Sequence, residues 1–273
     1  MRRRDEEMPC GENRIGMNPN KQEEIHMERI DKILASQGIG SRKEVHALLR
    51  QGRVTVGSAI VRAADAKVDA TSQAICIDGA PLRYKPHVYI MMNKPAGVIS
   101  ATDDPRQRTV VDLIGPPLAR RGLFPVGRLD KDTEGLLIIT DDGDYAHRVL
   151  SPKKNVDKLY EAVIDGPVGD AEVEAFRLGI VFEDGTVCRP AGLRVLRDGD
   201  TPLVQVRICE GRFHQVKKMF RAVGRTVQAL RRVQIGALKL DPTLAPGAYR
   251  EMTSQEITFV FEAQKDTPNI VQN

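Results

Sequence analysis

"GRLDKDTEGLLIITDDGD", residues 127–144, leads from a glycine turn into an apolar run and closes on acids and glycines. The Leu-Leu-Ile-Ile-Thr segment at 136–140 reads as a buried strand, because leucine and β-branched residues are bracketed by the Asp and Gly residues that mark turns. Asp144 is placed to cap a following helix. Outward from this strand, "HVYIMMNKPAGVIS" (87–100), "TVVDLI" (109–114), "KLYEAVI" (158–164), "LVQVRIC" (203–209), "TVQALRRVQI" (226–235) and "EITFVF" (256–261) also read as strands. Helical patterns fall at 143–150, 170–178 and 214–223. Strands outnumber helices and do not alternate with them as in a parallel βαβ series, so the expected class is α+β with a mixed, largely antiparallel sheet.

A smaller unit precedes this body. In "ERIDKILASQGIGSRKEVHALLRQGRVTVGSAIV" (28–61), Ile30, Ile33 and Leu34 recur at helical spacing, and Ser41 with Glu44 forms a capping box ahead of Val45, Leu48 and Leu49. Gly52 closes that helix, and Val54, Val56 and "AICIDG" (74–79) supply short strands. Two prolines bracket "PLRYKP", which reads as a hinge. The expected organisation is a disordered arm at 1–27, a compact module at 28–80, a linker at 81–86, the main body at 87–262 and a tail at 263–273.

The 273 residues are enough for a sizeable core, and the formal charge of +4 says little by itself. Its distribution says more. Residues 207–232 carry eight basic side chains against Glu210 alone, a candidate polyanion surface. Cys10, Cys76, Cys188 and Cys209 show no CxxC pair, no apolar run reaches the roughly 20 residues of a membrane span, and no apolar segment follows the first basic residues as in a secretory signal. A soluble, reducing, cytoplasmic setting is expected, with no membrane partner.

Metal readings fare poorly. Asp130, Asp132, Glu134, Gly135 and Asp141 fall at positions 1, 3, 5, 6 and 12 of a calcium-loop template, but the last should be Glu, and "RRGLFPVGRL" cannot supply the helix required upstream. Asp132, Asp141, Asp142 and Asp144 are better explained as turn and surface residues. Cys209 and His214 lack the further ligands a zinc site needs. No metal or cofactor is expected.

The motifs resemble a known family. The first module resembles the S4 RNA-binding domain through Arg29, Asp31, Lys32, Leu34, Ala35, Gly38, Ser41, Arg42, Leu48, Gly52, Val54 and Val56, although the usual asparagine before Gly57 is absent. The opening stretch resembles the catalytic loop of the pseudouridine synthases of the small-subunit and related large-subunit ribosomal RNA group. Gly127, Arg128, Leu129, Asp130, Thr133, Gly135, Leu136, Leu137, Thr140, Asp142 and Gly143 fill every fixed position of that pattern. "NKPAGVIS", "KLYEAVI", "CEGRFHQVKKMFRAVG" (209–224) and "LRRVQIGALKLD" (230–241) extend the resemblance over roughly residues 28–252.

The resemblance implies isomerisation of a uridine within an RNA chain, in which C1′–N1 breaks, the base turns and C1′–C5 forms. It implies that Asp130 is the catalytic carboxylate; the residues fit either direct attack at C1′ or abstraction of a ribose proton. An ionised carboxylate serves best, which calls for a positive partner, and the resemblance points to Lys217. Without it, Lys217 reads equally as a phosphate-binding lysine. Tyr160 is matched to the tyrosine that packs on the uracil, Arg128 to the residue that fills the space left by the extruded nucleotide, and Leu230 to the wall of the uracil pocket. On the residues alone, Tyr160 also reads as core and Arg128 as an ion-pair partner of Asp132 or Glu134.

Arg29, Lys32, Arg42, Lys43, Arg50 and Arg53 of the first module, and Arg212, His214, Lys218 and Arg221 of the basic segment, are the candidate RNA contacts. On a 214–223 helix, His214, Lys217, Lys218 and Arg221 share one face, with Phe213, Val216, Phe220 and Val223 on the packing side. "GRFHQVKKMF" resembles the small-subunit branch, so the expected partner is structured 16S-type RNA or a partly assembled small subunit, acted on by a monomer. A 23S-type RNA substrate is the alternative within the same chemistry. A non-catalytic S4-linked RNA-binding or assembly protein is the alternative of another class.

Overall fold

The computed structural model describes residues 27–262, so the arm at 1–26 and the tail at 263–273 lie outside the described residues. The first unit contains helices Ile30–Ser36 and Arg42–Arg50 and a four-stranded sheet ordered Ala59–Ile60, Val54–Val56, Ile75–Ile77, Ala80–Pro81. Ile30, Ile33, Leu34, Val45, Leu49 and Val54 are fully buried and form its core. The capping box is present, with Glu44 N donating to Ser41 Oγ at 3.4 Å and Ser41 N donating to a Glu44 carboxylate oxygen at 2.6 Å. The hairpin without its asparagine still closes, because Gly57 takes the left-handed φ of +58° that its two-residue turn requires.

The main body is a nine-stranded sheet, α+β as expected. Its path runs Gly192–Arg197, Leu203–Ile208, Lys158–Ile164, Val227–Ile235, Glu134–Thr140, Tyr89–Lys94, Tyr249–Glu251, with Leu238–Lys239 and Phe124–Pro125 beside it. Every pairing is antiparallel except that of Val227–Ile235 with Glu134–Thr140, where Arg231 opposes Glu134 and Arg232 opposes Gly135. At that parallel seam the 127–133 loop enters the sheet. On one face, helices Asp170–Leu178 and Gln215–Ala222 bury Phe176 and Phe220, whose ring centroids lie 5.0 Å apart. On the other, Met91, Leu136 and Ile138 pack with Tyr145 and Val149 of helix Gly143–Leu150. Among the described residues no helix is long and apolar enough to cross a membrane.

Four expectations are corrected. "TVVDLI" is not a strand: Val111–Leu113 is a 3-10 turn, since Thr109 and Asp112 exchange backbone-to-side-chain bonds of 2.8 and 3.2 Å that compete with strand pairing. "EITFVF" belongs mostly to helix Ser254–Phe259, nucleated by a Thr253–Glu256 capping box that its apolar pattern concealed. The cap of helix Gly143–Leu150 is Asp142, which accepts from Tyr145 N at 2.9 Å, and not Asp144. The expected linker at 81–86 begins inside the first unit, because Pro81 opposes Cys76 and both Leu82 and Tyr84 pack on that unit's core. Lys85 then bridges the units, bonding Gln37 through its backbone and Glu251 through its ammonium at 2.6 Å.

Candidate active site

The loop before the 134–140 strand is fastened at nearly every residue. Leu129 is buried, and Ser100 Oγ donates to its carbonyl at 2.9 Å and accepts from its N–H at 3.0 Å. Asp130 O accepts from Thr133 N at 3.1 Å, and Gly97 N donates to Lys131 O at 2.8 Å. Lys94 is fully buried, and its ammonium donates to Thr133 O at 2.8 Å, Pro95 O at 3.0 Å and Lys131 O at 3.3 Å. Burial pushes this lysine down to about 8, while Asp132, Glu134 and Asp130 oppose the shift.

"NKPAGVIS", which reads from sequence as a tight turn, is therefore the clamp that holds the loop carrying Asp130. Lys94 is the principal residue sequence reasoning missed. Its signal was a charged side chain, preceded by Asn93, ending a strand that begins with the apolar run Tyr89–Met92.

Gly135 carries the chain from loop to strand at φ +102°, and a Cβ there would fall 2.2 Å from the carbonyl oxygen of Arg232. Only glycine lets the two strands of the seam approach this closely. Arg232 is buried and donates from Nε to Leu136 O at 2.8 Å, tying the same seam from the other side.

Helix Gln215–Ala222 sinks Val216, Met219 and Phe220 into the core and presents Lys217 to the loop. Lys217 Nζ lies 3.4 Å from Asp130 Oδ2 and 2.6 Å from Asp132 Oδ1. The hydrogen bond from Lys217 holds the Asp132 carboxyl below its usual range. Asp132, expected as a plain turn residue, is thus the lysine's nearer partner. His214, expected as an RNA contact, also reaches the loop, with Nε2 3.5 Å from Asp130 Oδ1.

The helix begins one residue later than expected, with His214 as its left-handed cap at φ 51°. Phe213, ahead of the helix with either boundary, does not join the packing face, because the left-handed His214 turns the chain between them; it is 71% exposed. The buried Gln215 side chain bonds Arg212 N at 2.9 Å and Glu210 at 2.8 Å, shaping the approach to the helix, a second role not foreseen.

Tyr160 and Leu230 face the same side of the sheet as the Asp130 loop. Leu230 opposes Ala162, Tyr160 opposes Arg232, and both side chains share an apolar cluster with Leu129, next to Asp130 in the chain. Among the described residues the Tyr160 hydroxyl has no hydrogen-bond partner, and it is not sealed from solvent. Alternate residues of the same strands face away. A broad groove on that reverse face, lined by Leu159, Glu161, Arg207 and Arg231, includes none of Asp130, Tyr160 and Lys217.

Arg128 is exposed, and among the described residues it forms no ion pair, so the alternative of a bridge to Asp132 or Glu134 is not realised. Arg212 bonds Glu210 and Val187 O, while Lys218 lies 5.4 Å from the Phe182 ring centroid and Arg221 is exposed. In the first unit Arg29 pairs with Asp31, Lys32 with Glu28 and Arg53 with Asp78. Arg42, Lys43 and Arg50 are exposed outside any ion pair among the described residues.

Comparison with known proteins places the two units in known families. The family profile described as RNA pseudouridylate synthase matches residues 88–222, and that of the S4 domain matches residues 28–73. An uncharacterized RNA pseudouridine synthase of Bacillus subtilis, YtzG, is 44% identical over 237 residues, covering 86% of this chain and 99% of its own. Ribosomal small subunit pseudouridine synthase A of Escherichia coli is 42% identical, covering 85% of this chain and 99% of its own. A solved structure described as a pseudouridylate synthase superposes with a TM-score of 0.60 at 35% identity, covering 85% of this chain and 99% of that one.

Proposed function

This chain belongs to the RNA pseudouridine synthases, with an S4 domain ahead of its catalytic body, and from that premise we propose that it isomerises a single uridine in small-subunit, 16S-type ribosomal RNA with Asp130 as nucleophile. The observation that carries the catalytic reading is the setting of Asp130. Its carboxylate is partly open to solvent, lies 3.4 Å from Lys217 Nζ, and follows Leu129, which shares an apolar cluster with Tyr160 and Leu230.

Each part of the reaction then has a residue. A uracil packs between the Tyr160 ring and Leu230, which places C1′ toward the carboxylate. Lys217 sets its positive charge beside that carboxylate as C1′–N1 breaks, and the base turns within the apolar walls. The bond that Asp130 makes to C1′ breaks as C1′–C5 forms. The proton on C5 then passes to water, directly or through the Tyr160 hydroxyl, which hands on its own proton, and N1 takes up a proton from water, so one proton leaves C5 and one arrives at N1. Substrate and product have the same atoms and oxidation level, so the balance calls for no cofactor. Arg128, exposed beside Asp130, takes the place of the extruded nucleotide.

The substrate half of the proposal rests on the 42% identity to a protein named for the small ribosomal subunit and on the "FHQVKKMF" segment beside the ion pair. Arg42, Lys43 and Arg50 supply backbone contacts to a large structured RNA or a partly assembled subunit. A cytoplasmic location and a monomeric working unit belong to the same proposal; free thiols at Cys76, Cys188 and Cys209 support a reducing compartment.

The test maps pseudouridine at nucleotide resolution in ribosomal RNA from cells with and without the gene, restored with wild type or Asp130→Asn. A site lost from small-subunit RNA and regained only with wild type is the expected result. Loss from large-subunit RNA would overturn the substrate, and no loss together with an inactive pure protein would favour a binding or assembly role.

A further inference from the structure

Of the large apolar side chains exposed among the described residues, Phe213 is the most exposed, at 71%. It is not scattered at random. Its ring is stacked on the His214 imidazole, with centroids 3.8 Å apart and planes 20° from parallel, and His214 Nε2 is 3.5 Å from Asp130 Oδ1. The reactive carboxylate, the imidazole and the phenyl ring thus follow one another outward from the cleft. Lys218 Nζ lies 5.6 Å from the Phe213 centroid, and Arg212 precedes the ring in the chain.

A phenyl ring left in water beside an active carboxylate, with Lys218 over it and Arg212 next to it in the chain, has a surface suited to a planar group attached to an anion. A nucleotide is such a group, since every base offers a π-face and every linkage a phosphate. Bringing a uridine to Asp130 also takes it out of its stack, which strips a neighbouring base of its partner. We propose that the Phe213–His214 pair is a stacking platform for a nucleobase next to the target uridine, with Lys218 and Arg212 meeting the adjoining phosphates. This inference rests on the RNA isomerase reading and assigns the platform a base other than the one that reacts. A docked protein is the competing occupant; His214 and Lys218 against the ring and Arg212 before it in the chain favour the polyanion, and the acids Glu210 and Asp184 of this surface are already engaged, Glu210 by Arg212 and Asp184 by Thr186 N beside Lys218.

The test uses the RNA segment in which the wild-type protein forms pseudouridine, with 2-aminopurine replacing the nucleotide on either side of the target. Binding of wild type should quench the fluorophore at one of the two positions. Phe213→Ala should abolish that quench and weaken RNA binding by about tenfold. Phe213→Trp should keep both, whereas Phe213→Leu, which restores apolar bulk without a π-face, should not. The side chain is solvent-facing, so all three variants should fold as wild type does. An unchanged quench and affinity in Phe213→Ala, or full rescue by Leu, would overturn the platform while wild-type turnover left the isomerase reading intact. Absence of pseudouridine from every RNA that the wild-type protein binds would overturn the isomerase reading and the platform together.

Discussion

Lys217 is 3.4 Å from the carboxylate of Asp130 but 2.6 Å from that of Asp132, so the positive partner of the proposed nucleophile is shared and leans toward the second acid. The Asp132 side chain is 74% exposed, and an exposed pair contributes only about 0.2–1 kcal/mol. Asp132 is therefore a weak competitor that substrate displaces at little cost. Asp132→Asn should leave single-turnover pseudouridine formation within about threefold of wild type. Lys217→Met should lower it by about tenfold or more, because the carboxylate loses its charge partner. If Asp132→Asn proved as damaging as Lys217→Met, Asp132 would belong to the reacting set.

Tyr160 separates two contributions that one side chain combines. Its ring is in the cluster with Leu129 and Leu230, while its hydroxyl has no partner among the described residues. Tyr160→Phe should retain RNA affinity and lower turnover by about a hundredfold, the lower range of general-base contributions. Tyr160→Leu should weaken binding as well, by losing the stacking face. Equal turnover of wild type and Tyr160→Phe would remove the hydroxyl from the proton transfer.

The α+β class, the strand after Asp130 and the helix that presents Lys217 were legible because each rests on local pattern: turn residues around an apolar run, or a 3.6-residue stripe. Two errors were also local. Thr109–Asp112 and Thr253–Glu256 cap turns whose apolar residues imitate strands, and side-chain caps outrank periodicity in segments this short. The clamp was illegible for a different reason. Lys94 bonds the carbonyls of residues 37 and 39 positions away, and nothing in the spacing of "NKPAGVIS" shows where its ammonium goes. Phe213 was misplaced because the expected apolar face was continued one residue ahead of the helix, where the left-handed His214 turns the chain and leaves the ring in solvent.

Gly135 tests the parallel seam. Its φ of +102° and a hypothetical Cβ 2.2 Å from Arg232 O leave alanine neither conformation nor room. Gly135→Ala should destabilise by roughly 1–3 kcal/mol or more from backbone strain alone. That corresponds to a thermal midpoint lower by about 2 °C or more for a chain of this size. Gly143→Ala is the control, since nothing lies within 4 Å of a Cβ there, and a similar midpoint for both variants would refute the steric argument.

Lys94 gives activity and stability opposite responses to pH. With the folded group near 8 and the ordinary value at 10.5, the unfolded chain binds the proton more tightly between those limits, so this group makes stability rise with pH there. Over the same range the neutral amine has two donors for three carbonyls, and the loop at 131–133 loses a fastening. Turnover should fall as pH passes through about 8 while the melting temperature does not fall with it. In Lys94→Met turnover should be low and show no limb in this range. A wild-type turnover that stayed level to pH 10 would show that the loop does not depend on the charge of Lys94, about two units beyond its titration.

The S4 unit makes a prediction about salt that depends on which of its cations are already engaged. Arg29, Lys32 and Arg53 sit in ion pairs with Asp31, Glu28 and Asp78, whereas Arg42, Lys43 and Arg50 are exposed without such partners. A cation that must leave a carboxylate to meet a phosphate gains less, so the second group should carry most of the RNA affinity of this unit. Each phosphate neutralised contributes about 0.7–0.9 to the slope of log K against log salt, so Arg42→Gln, Lys43→Gln and Arg50→Gln together should lower the slope by roughly two to three. The corresponding changes at Arg29, Lys32 and Arg53 should lower it by less than about one. Binding is measured by fluorescence anisotropy on a structured ribosomal RNA fragment across a salt series, and circular dichroism checks that each triple variant folds. If the two sets shifted the slope equally, the ion pairs would not be holding the first group back, and the phosphates would follow the whole basic surface of the S4 unit instead of the helix Arg42–Arg50.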